Sequence, residues 1–118
     1  MINGYLFFKL GTQLFALDQL DISEIGRLKD YHVFPIPHSL PICVGAVQHR
    51  GKVIPVLSGA QLFQPSQVAS STISQTEQLI FFNTAVGPMA FTVDSISQDP
   101  LVLSEFGEWT FIQLSDYF

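Results

Sequence analysis

Apolar residues in this chain fall into short runs that are separated by glycine, proline and polar residues. The first two runs are 5–10 (YLFFKL) and 14–17 (LFAL), and Gly4 and Gly11 precede and follow the first of them. Short runs rich in aromatic and aliphatic residues are typical of β-strands, and a tight turn between two of them makes a hairpin. The pattern therefore predicts a β-hairpin near the start of the chain.

The next stretch, 18–27 (DQLDISEIGR), fits two structures. Asp18 could cap a helical turn, while Ile22 and Ile25 followed by Gly26 suit a strand equally well. We predict a single turn followed by a strand. Beyond it, Pro35, Pro37 and Pro41 favour an irregular, extended segment at 29–38 and exclude a helix.

The stretch 37–55 (PHSLPICVGAVQHRGKVIP) is the centre of the predicted organisation. A strand that ends at His49 is followed by Arg50 and Gly51 and then by the strand 52–57. Because glycine adopts positive φ without steric cost, Arg50–Gly51 predicts a tight turn. We expect Arg50 to lie among aliphatic neighbours, where a charge needs a carboxylate partner.

Pro55 constrains the second of these strands. Proline has no N–H to donate to a ladder, so either the strand lies at a sheet edge or the proline nitrogen faces away from the paired strand.

The second half continues with short elements. We predict one helical turn at 58–63, a polar connection at 64–78, and strands at 79–83, 89–94 and 109–114. Short strands with turn residues between them are typical of an all-β barrel.

Composition favours an interaction module. The chain has 118 residues, of which 47% are hydrophobic and only 13% are charged, below the usual quarter. This length suits one compact unit, or two small lobes that share a core. Eleven phenylalanines suggest more apolar surface than one small core can hide, and such surface typically meets a partner.

Charge and cysteine content exclude several classes of protein. The net charge is −5 and all five bases lie within the first 52 residues, so the chain has no basic stripe for nucleic acid. Cys43 is the single cysteine, which excludes an internal disulfide and fits the cytoplasm. No signal peptide and no apolar run long enough for membrane insertion is evident.

The candidate reactive residues do not form a known catalytic or metal-binding pattern. His32, His38, His49 and Cys43 have spacings that match no zinc-ligand motif, so we predict no metal. Ser39 beside His38 lacks the glycines and the orienting carboxylate of a hydrolase, and no Gly-rich phosphate loop is present. We predict neither a cofactor nor enzymatic activity.

A series of motifs resembles the CheW-like domain, the coupling module of bacterial chemosensory systems. The resemblance covers nearly the whole chain, including the spacing from Pro37 to Gly45. It rests on these segments: Phe15-Ala16-Leu17-Asp18, Ile22-Ser23-Glu24-Ile25, Gly45-Ala46-Val47-Gln48-His49-Arg50-Gly51, Val53-Ile54-Pro55-Val56 and Val93-Asp94-Ser95-Ile96-Ser97. Four positions depart from the family pattern: Ser58-Gly59 replaces Asp-Leu, His49 replaces an aliphatic residue and Gln48 replaces asparagine.

The resemblance implies an all-β fold of two SH3-like five-stranded barrel lobes. The first lobe would be 1–63, the connecting segment 64–78, and the second lobe 79–118. The second lobe is shortened, because the chain lacks room for one family strand between Asp99 and Phe106. An incomplete barrel has open edges that the first lobe or another chain must cover, so a homodimer is a possible assembly.

The resemblance aligns Glu24 and Arg50 with an acid and a base of the family. We expect the two side chains to pair and to shape a partner-binding groove, with Ile22 and Gly45 along it and Gly51 in the turn. The alternative is an ion pair with a purely structural role.

The implied function is a non-enzymatic cytoplasmic adaptor. Its partners would be the cytoplasmic tip of a chemoreceptor and the regulatory domain of a CheA-type histidine kinase. Two alternatives stay open. One is a structural module that self-associates through its incomplete second lobe without coupling receptors, and the other is a sensor of small ligands or peptides.

Overall fold

The fold is almost entirely β-structure, as a computed structural model of the chain shows. It describes residues 4–37, 40–64, 77–97 and 109–118. The predicted all-β class is confirmed. The elements are β1 (Tyr5–Leu10), β2 (Gln13–Asp18), β3 (Ile22–Arg27), β4 (Cys43–His49), β5 (Lys52–Ser58), α1 (Gly59–Phe63), β6 (Gln78–Thr84), β7 (Gly87–Val93), β8 (Ser95–Ser97) and β9 (Trp109–Ile112).

The strands form two sheets, with the orders β8-β1-β2-β9 and β3-β6-β7-β5-β4. Most neighbours are antiparallel, but β2–β9 and β5–β7 are parallel. Each sheet takes strands from both sides of the segment 64–78, so the sheets do not follow the predicted division of the chain into 1–63 and 79–118. That division, and the closure of either sheet into a barrel, stay predictions.

Two local predictions for the first half are confirmed, namely the first hairpin and the single turn followed by a strand. β1 and β2 pair as a hairpin in a register that runs from Tyr5–Asp18 to Leu10–Gln13. Asp18 caps a single 3-10 turn, Gln19–Asp21, by accepting the backbone N–H of Leu20 at 2.9 Å. The strand β3 follows at once.

β8 was not predicted, because its three residues (Ser95–Ser97) carry no apolar run and depend on pairing with β1. We predicted that one family strand is absent between Asp99 and Phe106. These residues lie outside the described part of the chain.

Pro55 lies in an inner strand, so the first of the two predicted arrangements, an edge strand, does not apply. β5 pairs with β4 on one side and with β7 on the other. Opposite Pro55, Ala46 exchanges its backbone hydrogen bonds with Phe34 instead, at 3.0 and 2.9 Å. The Pro55 nitrogen therefore faces away from β4, and the pairing with β7 begins only at Val56. The second of the two predicted arrangements thus holds on the β4 side.

The main core lies between the two sheets and receives side chains from both. Strands that pack on both faces have continuous apolar sequences instead of alternating ones, and β6 is an example. Its residues Ile80 and Phe82 join the main core, while Leu79 and Phe81 join a second core on the opposite face. This two-sided burial explains the run LIFF.

Phenylalanine rings fill much of the interior. Among the described residues, six phenylalanines have no more than 2% of their surface exposed: Phe7, Phe8, Phe15, Phe81, Phe82 and Phe91. Less apolar surface is therefore left exposed than the composition suggested, because strands that pack on both faces bury more phenylalanine rings than a single core would. Phe111, at 63%, and Phe118, at 44%, are among those that stay exposed.

α1 follows β5 directly, as the sequence predicted. Ser58 caps it by accepting the backbone N–H of Gln61 at 3.2 Å. Gly59, the first residue of α1, is buried against β7, and its N–H donates to Thr92 Oγ1 at 3.3 Å. A Cβ atom at position 59 would overlap the carbonyl oxygen of Thr92. The glycine that departs from the family pattern is thus required by close packing.

Candidate functional site

The turn between β4 and β5 holds the candidate site. His49 and Lys52 form the last pair of the two strands, and Arg50 and Gly51 between them have φ values of 52° and 78°. Two positive φ values are the mark of a type I′ hairpin turn. The predicted tight turn is confirmed, although an arginine in the left-handed region is uncommon.

We expected Arg50 to lie among aliphatic side chains, but it does not. Its side chain is 74% exposed at the tip of the hairpin. The expected cost of burying this charge is therefore absent, and an exposed pair contributes much less to stability than a buried one.

A bulge in β3 decides which way Glu24 points. Ile22 is opposite Phe82 and Glu24 is opposite Phe81, so the register shifts between them. In a regular strand, residues two apart share a face, but here Ile22 packs with the main core while Glu24 takes the face of Phe81. The bulge thus separates two residues that the sequence placed in one groove.

Glu24 and Arg50 meet in a two-point ion pair. Arg50 Nε donates to Glu24 Oε2 and Arg50 Nη2 donates to Glu24 Oε1, both at 3.0 Å. These hydrogen bonds, followed by one from His49, lower the pKa of Glu24 from 4.5 to about 2. The carboxylate in turn raises the pKa of Arg50. The predicted pairing of this acid and this base is present.

His49 and Tyr31 extend the pair toward the interior. His49 Nε2 lies 2.7 Å from Glu24 Oε2, and His49 Nδ1 lies 2.9 Å from Tyr31 Oη. The His49 ring also stacks on Phe81, with centroids 4.5 Å apart and an interplanar angle of 19°. We call these five residues (Glu24, Tyr31, His49, Arg50 and Phe81) the turn cluster.

The hydrogen bonds assign the tautomer of a neutral His49 ring within the turn cluster. An ionised carboxylate only accepts, so His49 Nε2 must carry the proton that it donates to Glu24. In neutral imidazole the other nitrogen then accepts, and Tyr31 Oη donates to it. Burial, followed by the charge of Glu24, raises the pKa of Tyr31, which keeps this donor protonated.

Sequence reasoning missed the roles of His49 and Tyr31. It treated His49 only as a replacement of an aliphatic residue and as a metal candidate. A signal was present, however, since Val47 and His49 are two apart in a strand and share its face. Val47 belongs to the second core together with Phe81, so His49 lies beside that core.

Two grooves adjoin this region, and they divide the predicted site residues. The first has a volume of about 510 Å³ and is lined by the turn cluster residues Glu24, His49, Arg50 and Phe81 with their neighbours Ser23, Lys52, Ile54 and Pro88. The second, of about 420 Å³, is lined by Ile22 with Leu20, Phe82, Leu114 and Phe118 among others. Ile22 and Arg50 thus lie along different grooves.

Gly45 lines neither groove. It is buried, with φ of 150°, and a Cβ there would lie 2.7 Å from Val33 Cγ1 and 2.8 Å from the carbonyl oxygen of Phe34. The expectation that Gly45 lies along the partner-binding groove is therefore not met. Glycine is required at this position because the segment 33–34 packs directly on β4.

The metal candidates are not brought together. No three His, Cys, Asp or Glu side chains within the described residues converge to hold a metal ion. His32 stacks on Phe34, and the Cys43 thiol donates to the carbonyl oxygen of Gly45 at 3.4 Å. His38 and Ser39 lie outside the described residues.

The lowered pKa of Glu24 predicts how the ion pair responds to acid. Because the folded-state pKa of about 2 lies below the ordinary 4.5, the stabilisation is complete above pH 4.5 and is lost as the pH falls toward 2. An NMR titration of the Glu24 side-chain carboxyl carbon should give a midpoint near 2. Arg50→Gln should raise this midpoint, since it removes the largest cause, and a wild-type midpoint near 4.5 would contradict the ion pair.

The candidate site is an exposed, ion-paired turn beside a groove, on a chain of the all-β class. In the part of the chain that the structure describes, no helix has the length and apolar character needed to cross a membrane.

Comparison with known proteins agrees with this class. The family model of the CheW-like domain matches residues 4–100. Among solved structures, the chain is similar to the scaffolding protein TtCheW from Thermoanaerobacter tengcongensis, with 25% sequence identity and a TM-score of 0.67. The match covers 79% of this chain and 60% of that one. No curated protein matches the chain.

The chain belongs to the CheW-like domain family. This is a non-enzymatic scaffolding family of chemotaxis signalling, and the two-sheet all-β architecture agrees with it. The matched structure is longer, since this chain spans 60% of its length.

Proposed function

We propose that this chain is a cytoplasmic adaptor that couples chemoreceptors to a CheA-type histidine kinase. One surface would engage the helical hairpin at the receptor tip and another the regulatory domain of the kinase. Holding both partners raises the local concentration of each at the other, so coupling requires no chemistry in the adaptor itself. Family membership and the all-β fold support this role.

The observation that carries the proposal is the exposed ion pair at the β4–β5 turn. Arg50 gives two N–H groups to Glu24 and makes no other hydrogen bond to the described residues. The guanidinium has five N–H donors in a planar fork, so the others are available to a partner. A fixed cation beside a groove suits a carboxylate on a docking helix, because Arg–carboxylate pairs are strong and directional.

Of the predicted site residues, we assign direct contact to Arg50, Glu24 and Gly51. Ile22 would contribute through the second groove, which adjoins the first at Ser23. Gly45 would act indirectly, because it lets the segment 33–34 pack against β4.

The experiment is to measure binding of the purified chain to each partner by calorimetry. The partners are a receptor-tip hairpin fragment and the regulatory domain of a CheA-type kinase, and light scattering records the oligomeric state. We expect binding to both partners and a ternary complex when all three are mixed. Binding to neither, together with a stable dimer, would overturn the proposal in favour of the self-associating module.

A further inference from the structure

Arg50 occupies a position where an arginine side chain is ordinarily mobile. Exposed ion pairs are weak because two long side chains lose rotamer freedom to form them. Here the partner carboxylate is not free to move, since His49 Nε2 holds Glu24 Oε2 at 2.7 Å. The side chains of His49 and Glu24 are only 14% and 34% exposed, against 74% for Arg50. Glu24 is thus held from its less exposed side.

His49 is itself held on several sides. Its ring stacks on Phe81, which is 2% exposed, and its Nδ1 lies within hydrogen-bond distance of Tyr31 Oη, at 2.9 Å. Tyr31 packs closely over Gly26, where a Cβ would lie 3.1 Å from the Tyr31 ring and 3.3 Å from Phe81. The ring stack and the two polar contacts restrain the imidazole, with its Nε2 directed at the carboxylate.

We infer that His49 and Tyr31 are positioning residues for Arg50. Together they fix the plane of the Glu24 carboxylate, and the carboxylate fixes the guanidinium through two parallel hydrogen bonds. The exposed cation is thereby presented in one orientation before any partner arrives. Ordering a side chain in advance removes part of the entropy cost of docking. This inference rests on the proposed function in one respect only, namely that the positioned cation meets a partner.

The test measures the order of Arg50 and its docking separately. NMR relaxation of the Arg50 Nε–Hε group reports side-chain order in the free protein, and calorimetry reports binding of the receptor-tip hairpin. His49→Leu introduces the aliphatic type of residue that the CheW-like pattern has here. We expect it to make Arg50 Nε–Hε mobile and to weaken hairpin binding about three- to tenfold, as the loss of one pre-ordered side chain predicts.

A second variant protects the test against misfolding. Tyr31→Phe keeps the aromatic packing and removes only the hydroxyl that holds His49 Nδ1, so we expect a smaller effect in the same direction. The matched control is His32→Leu, since His32 is exposed and stacks on Phe34 outside the turn cluster. It should change neither measurement.

The outcomes separate this inference from the proposed function. If Arg50 Nε–Hε stays ordered in both variants, the inference is overturned, whatever the binding result. It is also overturned if His49→Leu frees Arg50 and the hairpin binds as tightly as before. If the wild-type chain binds no hairpin, the proposed function fails, and loss of Arg50 order in the variants still supports the positioning.

Discussion

Replacing Gly59 by alanine is expected to lower the free energy of unfolding by about 3 kcal/mol, as forced overpacking of an interior does. The added Cβ would overlap the carbonyl oxygen of Thr92. That oxygen belongs to β7, which pairs with β5 on one side and β6 on the other, so the backbone has little freedom to retreat. Since domains are stable by roughly 5–15 kcal/mol, the loss would be a large fraction of the total.

Urea denaturation followed by circular dichroism measures this effect. Ser58→Ala is the matched control, because it removes the neighbouring N-cap of α1 and should cost about 1 kcal/mol. An alanine variant at position 59 that is as stable as the wild type would show that α1 does not pack against β7 in this way. Gly59→Leu should be more damaging still, because leucine is larger than alanine, although leucine is the residue of the CheW-like pattern at this position.

Replacing Arg50 by asparagine is expected to separate docking from folding. Asparagine followed by glycine is a preferred pair for a type I′ turn, and Arg50 already has a φ of 52°. The variant should therefore fold at least as well as the wild type while it lacks the cation. Arginines at the centre of interfaces are frequent hot spots, so we expect receptor-hairpin binding to fall at least about tenfold. Kinase binding should change little.

Calorimetry with each partner, together with thermal unfolding, tests this expectation. Lys29→Asn is the matched control, because it removes an exposed cation that lines neither groove and has no part in the ion pair with Glu24. If Arg50→Asn instead destabilises the chain and weakens both partners equally, the ion pair has only a structural role. That result would favour the alternative that the sequence left open for this pair, namely a purely structural role.

Local elements were predictable because their causes are local. The hairpin of β1 and β2, the cap at Asp18 and the turn at Arg50–Gly51 each depend on residues that are close together in the chain. The acid and the base of the ion pair were identified through the family resemblance. Their environment was not, because exposure depends on where the turn projects from the finished sheet.

The errors in the site have one physical origin. Strand periodicity assigns Ile22 and Glu24 to one face, but the bulge between them reverses that assignment for Glu24. Gly45 was assigned to a groove through the functional interpretation of the family resemblance, yet the groups that approach it are Val33 and the backbone of Phe34. In both cases the deciding contact comes from a segment elsewhere in the chain.

By itself, the sequence determined the β class, the positions of most strands and the turn that carries Arg50, since apolar runs, prolines and glycines act within a few residues. Only the tertiary structure decided which strands became neighbours, because parallel pairs such as β5–β7 join residues from distant parts of the chain. It also decided that His49 and Tyr31 meet Glu24, because that meeting depends on the bulge in β3 and on the packing of both rings over Phe81.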